Sequence, residues 1–110
     1  MNELIERIFN NFIVPVSFLR YNGDATAYVT YQQIDIDNTL CGDDTLLAYV
    51  DYYDFDIYSK GNYFPIVEGV KQILTDNGFT WIPTRDSRDL YEDDTGYYHK
   101  TLCFAIERSN

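Results

Sequence analysis

The sequence predicts an α+β domain: a mainly antiparallel β-sheet with an N-terminal helix and a central helix packed against it. Three observations carry that expectation. Two segments space their apolar residues as helices do, and several others alternate them as strands do. The elements also come as helix, strands, helix, strands, which favours an antiparallel sheet with helices against it over a βαβ array. A chain of 110 residues reads as one domain, 1–110, without internal repeat or linker. At that size it buries roughly two-thirds of its extended-chain surface.

The N-terminal helix is expected over Asn2 to Phe12, where Leu4, Ile5, Ile8, Phe9 and Phe12 make an apolar stripe. Pro15 marks its exit, and Val16 to Leu19 reads as a short strand or an extended connection. Asn22-Gly23-Asp24 is a turn signal. Thr26 to Ile34 is β-branched and aromatic, a strand. Asp35 to Thr45 reads as a solvated hairpin loop. Its acids do not make a calcium loop, because Gly42 is misplaced and the twelfth position is Leu46. Leu46 to Tyr58 is then a strand pairing back antiparallel. It puts Tyr49, Tyr53, Phe55 and Ile57 on one face, and Val50, Tyr52, Asp54, Asp56 and Tyr58 on the other.

After a corner at Ser59-Lys60-Gly61, Asn62 is placed to cap the central helix and Pro65 sits in its first turn. Ile66, Val67, Val70, Ile73 and Leu74 form its stripe, and Gly78 follows as a left-handed stop. Phe79 to Pro83 starts a strand, with Trp81 as a core or edge residue. Thr84 to Asp94 is polar and turn-prone, a mobile loop or an irregular edge. Tyr97 to Glu107 is a long terminal strand. Phe55, Ile57, Val67, Val70, Leu74 and Phe104 are the expected core.

The formal net charge is −10. That argues against a protein that clamps nucleic acid, which needs a basic footprint. The N-terminus MNELIERIFNNF has no apolar run of signal-peptide or membrane-span length. Cys41 and Cys103 are therefore expected as free thiols in a reducing cytoplasm, although a single disulfide between them stays open.

Few residues invite chemistry. His99 is the one histidine, and two isolated cysteines make no zinc pattern, so no metal or other cofactor is expected. His99 and Cys103 share a strand face but stand about 13 Å apart, too far for a nucleophile–base pair. Asp54 with Asp56, Asp43 with Asp44 and Asp93 with Asp94 are adjacent acids, and a small hydrolase could be built on such a pair. With no phosphate-cradling loop and no nucleophile elbow, an enzyme is not expected.

Two stretches carry a resemblance. YVDYYDFDIYSKGNYFPIVEGVKQILTDNGF, from Tyr49 to Phe79, couples an I-Y-S-K strand end to a short amphipathic helix ending in G-F. DLYEDDTGYYHKTLCFAIE, from Asp89 to Glu107, carries a Y-E-x-D-T-G-x-Y-H-K pattern before a closing strand. Together they resemble the small tail-terminator (tail-completion, head–tail joining) proteins of long-tailed bacteriophages and prophages of Gram-positive bacteria. The N-terminal helix and the TYQQ strand fit that family's order, while Asp35 to Thr45 and the N-terminal connection match no pattern.

The resemblance implies a homo-oligomeric ring, typically a hexamer. The ring would cap the head-proximal end of the tail tube, end tube growth and offer a docking face to the head connector. Its partners would be further copies of itself, the tail-tube protein and the connector or stopper, with genome DNA only passing through an acidic lumen and no membrane involved. The protein would be made in the bacterial cytoplasm and reside in the virion. Candidate ring or tube contacts on that expectation are Asp54, Asp56, Tyr58 and Lys60 at one corner, and Asp94, Tyr97, His99 and Lys100 at the other. Asp94-Thr95-Gly96 reads equally as a turn that sets the register of the last strand. A different connector ring protein (a stopper or adaptor), or an acidic cytosolic binding domain unrelated to phage, would fit the same composition.

Overall fold

Residues 53 to 57 alternate Tyr, Asp, Phe, Asp, Ile, and the sheet is arranged around that alternation. In the computed structural model, residues 2–42 and 45–109 are described, with side chains for all of these except 35, 37–42, 45–48, 108 and 109. Helix α1 is Asn2–Ile8 and α2 is Phe64–Asp76. The strands are β1 (Val16–Phe18), β2 (Ala27–Gly42), β3 (Thr45–Ser59), β4 (Thr80–Trp81), β5 (Leu90–Glu92) and β6 (Tyr97–Ser109), with a 3-10 turn at Pro83–Arg85. The sheet order is β1-β2-β3-β6-β4, and β5 also pairs with β6. All pairings are antiparallel except β1 with β2. The chain is thus an α+β fold.

Register decides the faces. Tyr31 pairs with Phe55 and Phe55 with Leu102, while Val29 pairs with Ile57; these side chains, with Tyr53 and Phe104, are buried. Ile5 and Phe9 cover them from one side, and Ile66, Val67, Val70 and Leu74 of α2 from another. The Phe55 ring meets Phe104 edge-on at 5.8 Å and stacks on Tyr31 at 5.6 Å, the offset geometries that aromatic quadrupoles favour. All six expected core residues are buried.

Helix α2 ends as its sequence suggests. Gly78 has φ +91°. The Phe79 N–H donates to the Leu74 carbonyl at 3.0 Å and the Gly78 N–H to that of Thr75 at 3.4 Å, the paired bonds of a Schellman stop. Its start differs slightly from expectation. Tyr63 is the N-cap and gives no side-chain capping bond; Asn62, one residue earlier, accepts the Phe64 N–H at 3.1 Å. Pro65 stands in the first turn.

Two expectations are corrected. α1 stops at Ile8, and Phe9 to Phe12 continue as turns; Phe9 and Phe12 still pack edge-on at 5.2 Å, so the stripe reflects burial more than helix length. The loop expected over Asp35 to Thr45 is largely strand, since β2 runs to Gly42 and β3 begins at Thr45; 43 and 44 lie outside the described residues. Aspartate disfavours strands locally, but pairing from Asp35 with Tyr52 to Gly42 with Thr45 carries the segment, with register shifts that absorb irregularity. β6 is also buried on both faces at Cys103 and Ala105, because the segment after β4 folds over that side. Cys103 is a free thiol; the Cys41 side chain lies outside the described residues. No helix among the described residues is long and apolar enough to cross a membrane.

Candidate functional site

The sheet face turned away from the helices gathers most of the sequence's candidate residues. Pairing sets Tyr28 beside Tyr58 and Tyr58 beside His99; one row along, Thr30 lies beside Asp56 and Asp56 beside Thr101. Tyr58 of one expected corner therefore meets His99 of the other.

Four rings form a continuous stack across this face. Tyr21 lies on Tyr28 at 4.6 Å, Tyr28 on Tyr58 at 4.8 Å, and Tyr58 on His99 at 4.3 Å, with interplanar angles of 27°, 22° and 15°. Tyr97 meets Tyr28 and Tyr58 edge-on and donates its hydroxyl to the Ala25 carbonyl at 3.2 Å. Lys60 Nζ sits 5.1 Å from the Tyr97 ring centre, a cation–π distance.

The stack ends in a charged cluster. His99 Nε2 is 3.1 Å from Asp56 Oδ1, and Nδ1 is 3.8 Å from Glu92 Oε2. Thr101 Oγ1 donates to the same Asp56 oxygen. The hydroxyl proton thus goes to the carboxylate, and both imidazole nitrogens face carboxylates on different strands. The side chains of Asp56 and His99 are only 18% and 17% exposed.

Burial and charge act together here. Burial, then Asp56, push the Tyr58 hydroxyl up to about 12, and burial followed by Tyr97 raises that of Tyr28. Asp54 shares the face one row beyond Asp56; burial and then Asp56 raise its carboxyl, with Arg85 opposing. Burial, then Asp54, raise the Cys103 thiol, away from the low value that a reactive thiolate needs.

Asp94 and Lys100 stand apart from the cluster. Asp94 is exposed in the turn before β6. That turn does set a register: Gly96 has φ +75°, its N–H donates to the Glu92 carbonyl at 2.8 Å, and Glu92 pairs with Tyr97. Lys100 points to the helix side of the sheet, where it donates to the Ser87 carbonyl at 3.2 Å and to Asp89 at 3.4 Å. Tyr21, Tyr28, Glu92 and Thr101 were missed from sequence. Strand parity could have found Thr101 beside His99, but only register could add the others.

A cleft of about 320 Å³ opens beside the stack, lined by residues that include Arg20, Tyr21, Tyr28, Tyr58 and Glu92. Among the described residues, no group of three or more His, Cys, Asp and Glu is placed to hold a metal ion. The chain matches no model of a known protein family. No curated protein matches it either.

Proposed function

We propose that this protein is a ring-forming virion component that caps the head-proximal end of a phage tail tube, ends tube growth and presents the face on which the head docks. The observation that carries this reading is the β2–β3 hairpin, which runs on well past the rows that hold the core. Ile34 and Ile36 stand 41% and 48% exposed on it, as suits an element that meets another protein. Two supports come from sequence: the Tyr49–Phe79 and Asp89–Glu107 stretches resemble tail-terminator proteins, and net charge −10 suits a wall past which DNA slides.

The test is electron microscopy of lysates from the encoding phage or prophage with this gene deleted. Overlong tubes beside unattached, DNA-filled heads are the expected result. Tails of normal length lying apart from heads would instead assign the protein to the head–tail joint as a stopper. Intact, infectious particles would overturn both.

A further inference from the structure

A cleft of about 500 Å³ opens where α1 and the turn after it meet β1, lined by residues that include Glu6, Phe9, Asn10, Ser17, Phe18 and Tyr31. Tyr31 supplies its floor. The residue is 1% exposed, and its hydroxyl is buried without a hydrogen-bond partner among the described residues. Such a group has given up water and gained nothing in exchange, which costs stability, and native interiors keep few of them. Burial, and then the nearby Glu6 carboxylate, push the Tyr31 pKa up, so at neutral pH it is a phenol with its proton in place.

The rim of the cleft is built with strain. Leu19 has φ +67°, and across it the Arg20 N–H donates to the Phe18 carbonyl at 2.8 Å. That is a γ-turn of the rare positive-φ kind. It is tied to the floor, because the Leu19 N–H donates to the Tyr31 carbonyl at 3.0 Å. Phe18, just before the turn, is 45% exposed with its ring 5.5 Å from that of Tyr31. The turn therefore holds an exposed aromatic ring beside the buried phenol, the kind of place where backbone strain persists because its surroundings fix it.

The groups in the wall select the ligand. An ionised carboxylate only accepts hydrogen bonds, a phenol oxygen accepts as well as donates, and an ammonium carries three donors and no acceptor. None of the described lining residues is basic, and the faces of Phe9 and Phe18 attract cations. An anion would meet Glu6 and a chain of net charge −10. We propose that this cleft binds a primary alkylammonium group, which donates one N–H to the Glu6 carboxylate and another to Tyr31 Oη while its alkyl stem lies against the Phe9 and Phe18 rings. The exposed Phe18 side chain swings outward to admit it. A free aliphatic amine and the end of a lysine side chain on another protein offer the same chemistry. The site does not depend on the capping role and can stand or fall without it.

Amide NMR titrations of the whole chain at fixed ionic strength read the site, with n-butylammonium, tetramethylammonium, n-butanol and a lysine blocked at both main-chain ends as probes. The expected result is saturable shifts around residues 6, 10, 17, 18 and 31 with n-butylammonium. Affinity should be about tenfold or more weaker for n-butanol, which lacks the charge, and for tetramethylammonium, which lacks the N–H. Tighter binding of n-butylammonium than of the blocked lysine identifies a free amine as the source, and the reverse order a protein side chain. Glu6→Gln and Tyr31→Phe should each weaken binding about tenfold or more. Glu3→Gln removes the same charge from the same helix and should leave binding unchanged. Tyr31→Phe also deletes the unpartnered hydroxyl, so without any probe it should melt at or above the temperature of the parent. Shifts that do not saturate, equal binding of tetramethylammonium, or an equal loss in Glu3→Gln would overturn the site and leave only diffuse attraction of cations. A Tyr31→Phe chain that melts well below the parent would show the hydroxyl to be bonded already, and would overturn it as a ligand group.

Discussion

Tyr58 joins the two things that define the polar face, a ring stack and a carboxylate cluster, and its ionisation reads both. The unfolded chain releases this proton near the ordinary value of 10, while the folded chain holds it to about 12. Tyr63 is held to about 12 as well, by burial first and then by its bond to Asp89. A folded-state value above the unfolded one means the contribution is complete below pH 10 and is lost as pH rises towards 12. Alkaline unfolding is therefore expected in that window, with phenolate absorbance following it. Eleven tyrosines titrating in one step at the ordinary value would show the stack to be open to water. Asp56 offers a second test at this scale. Asp56→Asn keeps the shape but weakens the acceptor for His99 and Thr101, and should cost about 1.5–3 kcal/mol in denaturant unfolding; a loss near zero would mean the cluster is solvated. From sequence, Asp56, Tyr58, Tyr97 and His99 could each be singled out, because alternation puts them on predictable faces. That they meet was not legible, because two strands far apart in sequence come together only through register.

Among the elements, β6 shows how an irregular segment can stand in for a strand. Between its pairings with β4 and β5, its outer edge meets Asp86 and Ser87: Asp86 Oδ1 accepts the Cys103 N–H at 2.8 Å, and Ser87 Oγ accepts that of Thr101 at 2.8 Å. Asp86 also takes the Trp81 indole N–H through its other oxygen, at 2.8 Å. Asp86→Ala leaves the part-buried Cys103 amide without that acceptor, and a loss of about 1–3 kcal/mol is expected, with faster exchange at that amide. At the end of α2, Gly78→Ala should cost about 1–2 kcal/mol. Nothing stands within 4 Å of the added carbon, so backbone conformation alone sets the cost. Equal melting temperatures for the two forms would exclude it. Helix α2 was legible because apolar spacing, Pro65 and Gly78 all agree. The β2 end and the 82–89 segment were not: Asp35, Asp37, Asp86 and Ser87 have loop-like propensities, and their strand-like roles come from partners elsewhere in the chain.

For the molecule as a whole, shape carries the argument. The chain extends 53 × 27 × 22 Å with a radius of gyration of 15.2 Å, against about 13 Å for a compact domain of this length. The excess has a visible source. Core residues of the hairpin lie at Val29, Tyr31, Tyr53, Phe55 and Ile57, while the strands continue to Gly42 and back from Thr45. Folding a core does not require that extension, and the ring reading proposed above gives it a use as a contact between copies. Joining Ile36 to Asp51, which are paired, through a two-residue Asn-Gly turn removes the outer hairpin with a connection that antiparallel strands accept. The shortened chain should keep its cooperative melt, because α1, α2 and the rows they cover are untouched. Its radius of gyration in small-angle scattering should fall towards the compact value, and self-association should be lost. If the shortened chain melted without cooperativity, the hairpin would be part of the folding unit; if it stayed cooperative and still assembled, contacts between copies would have to be sought on the body of the domain.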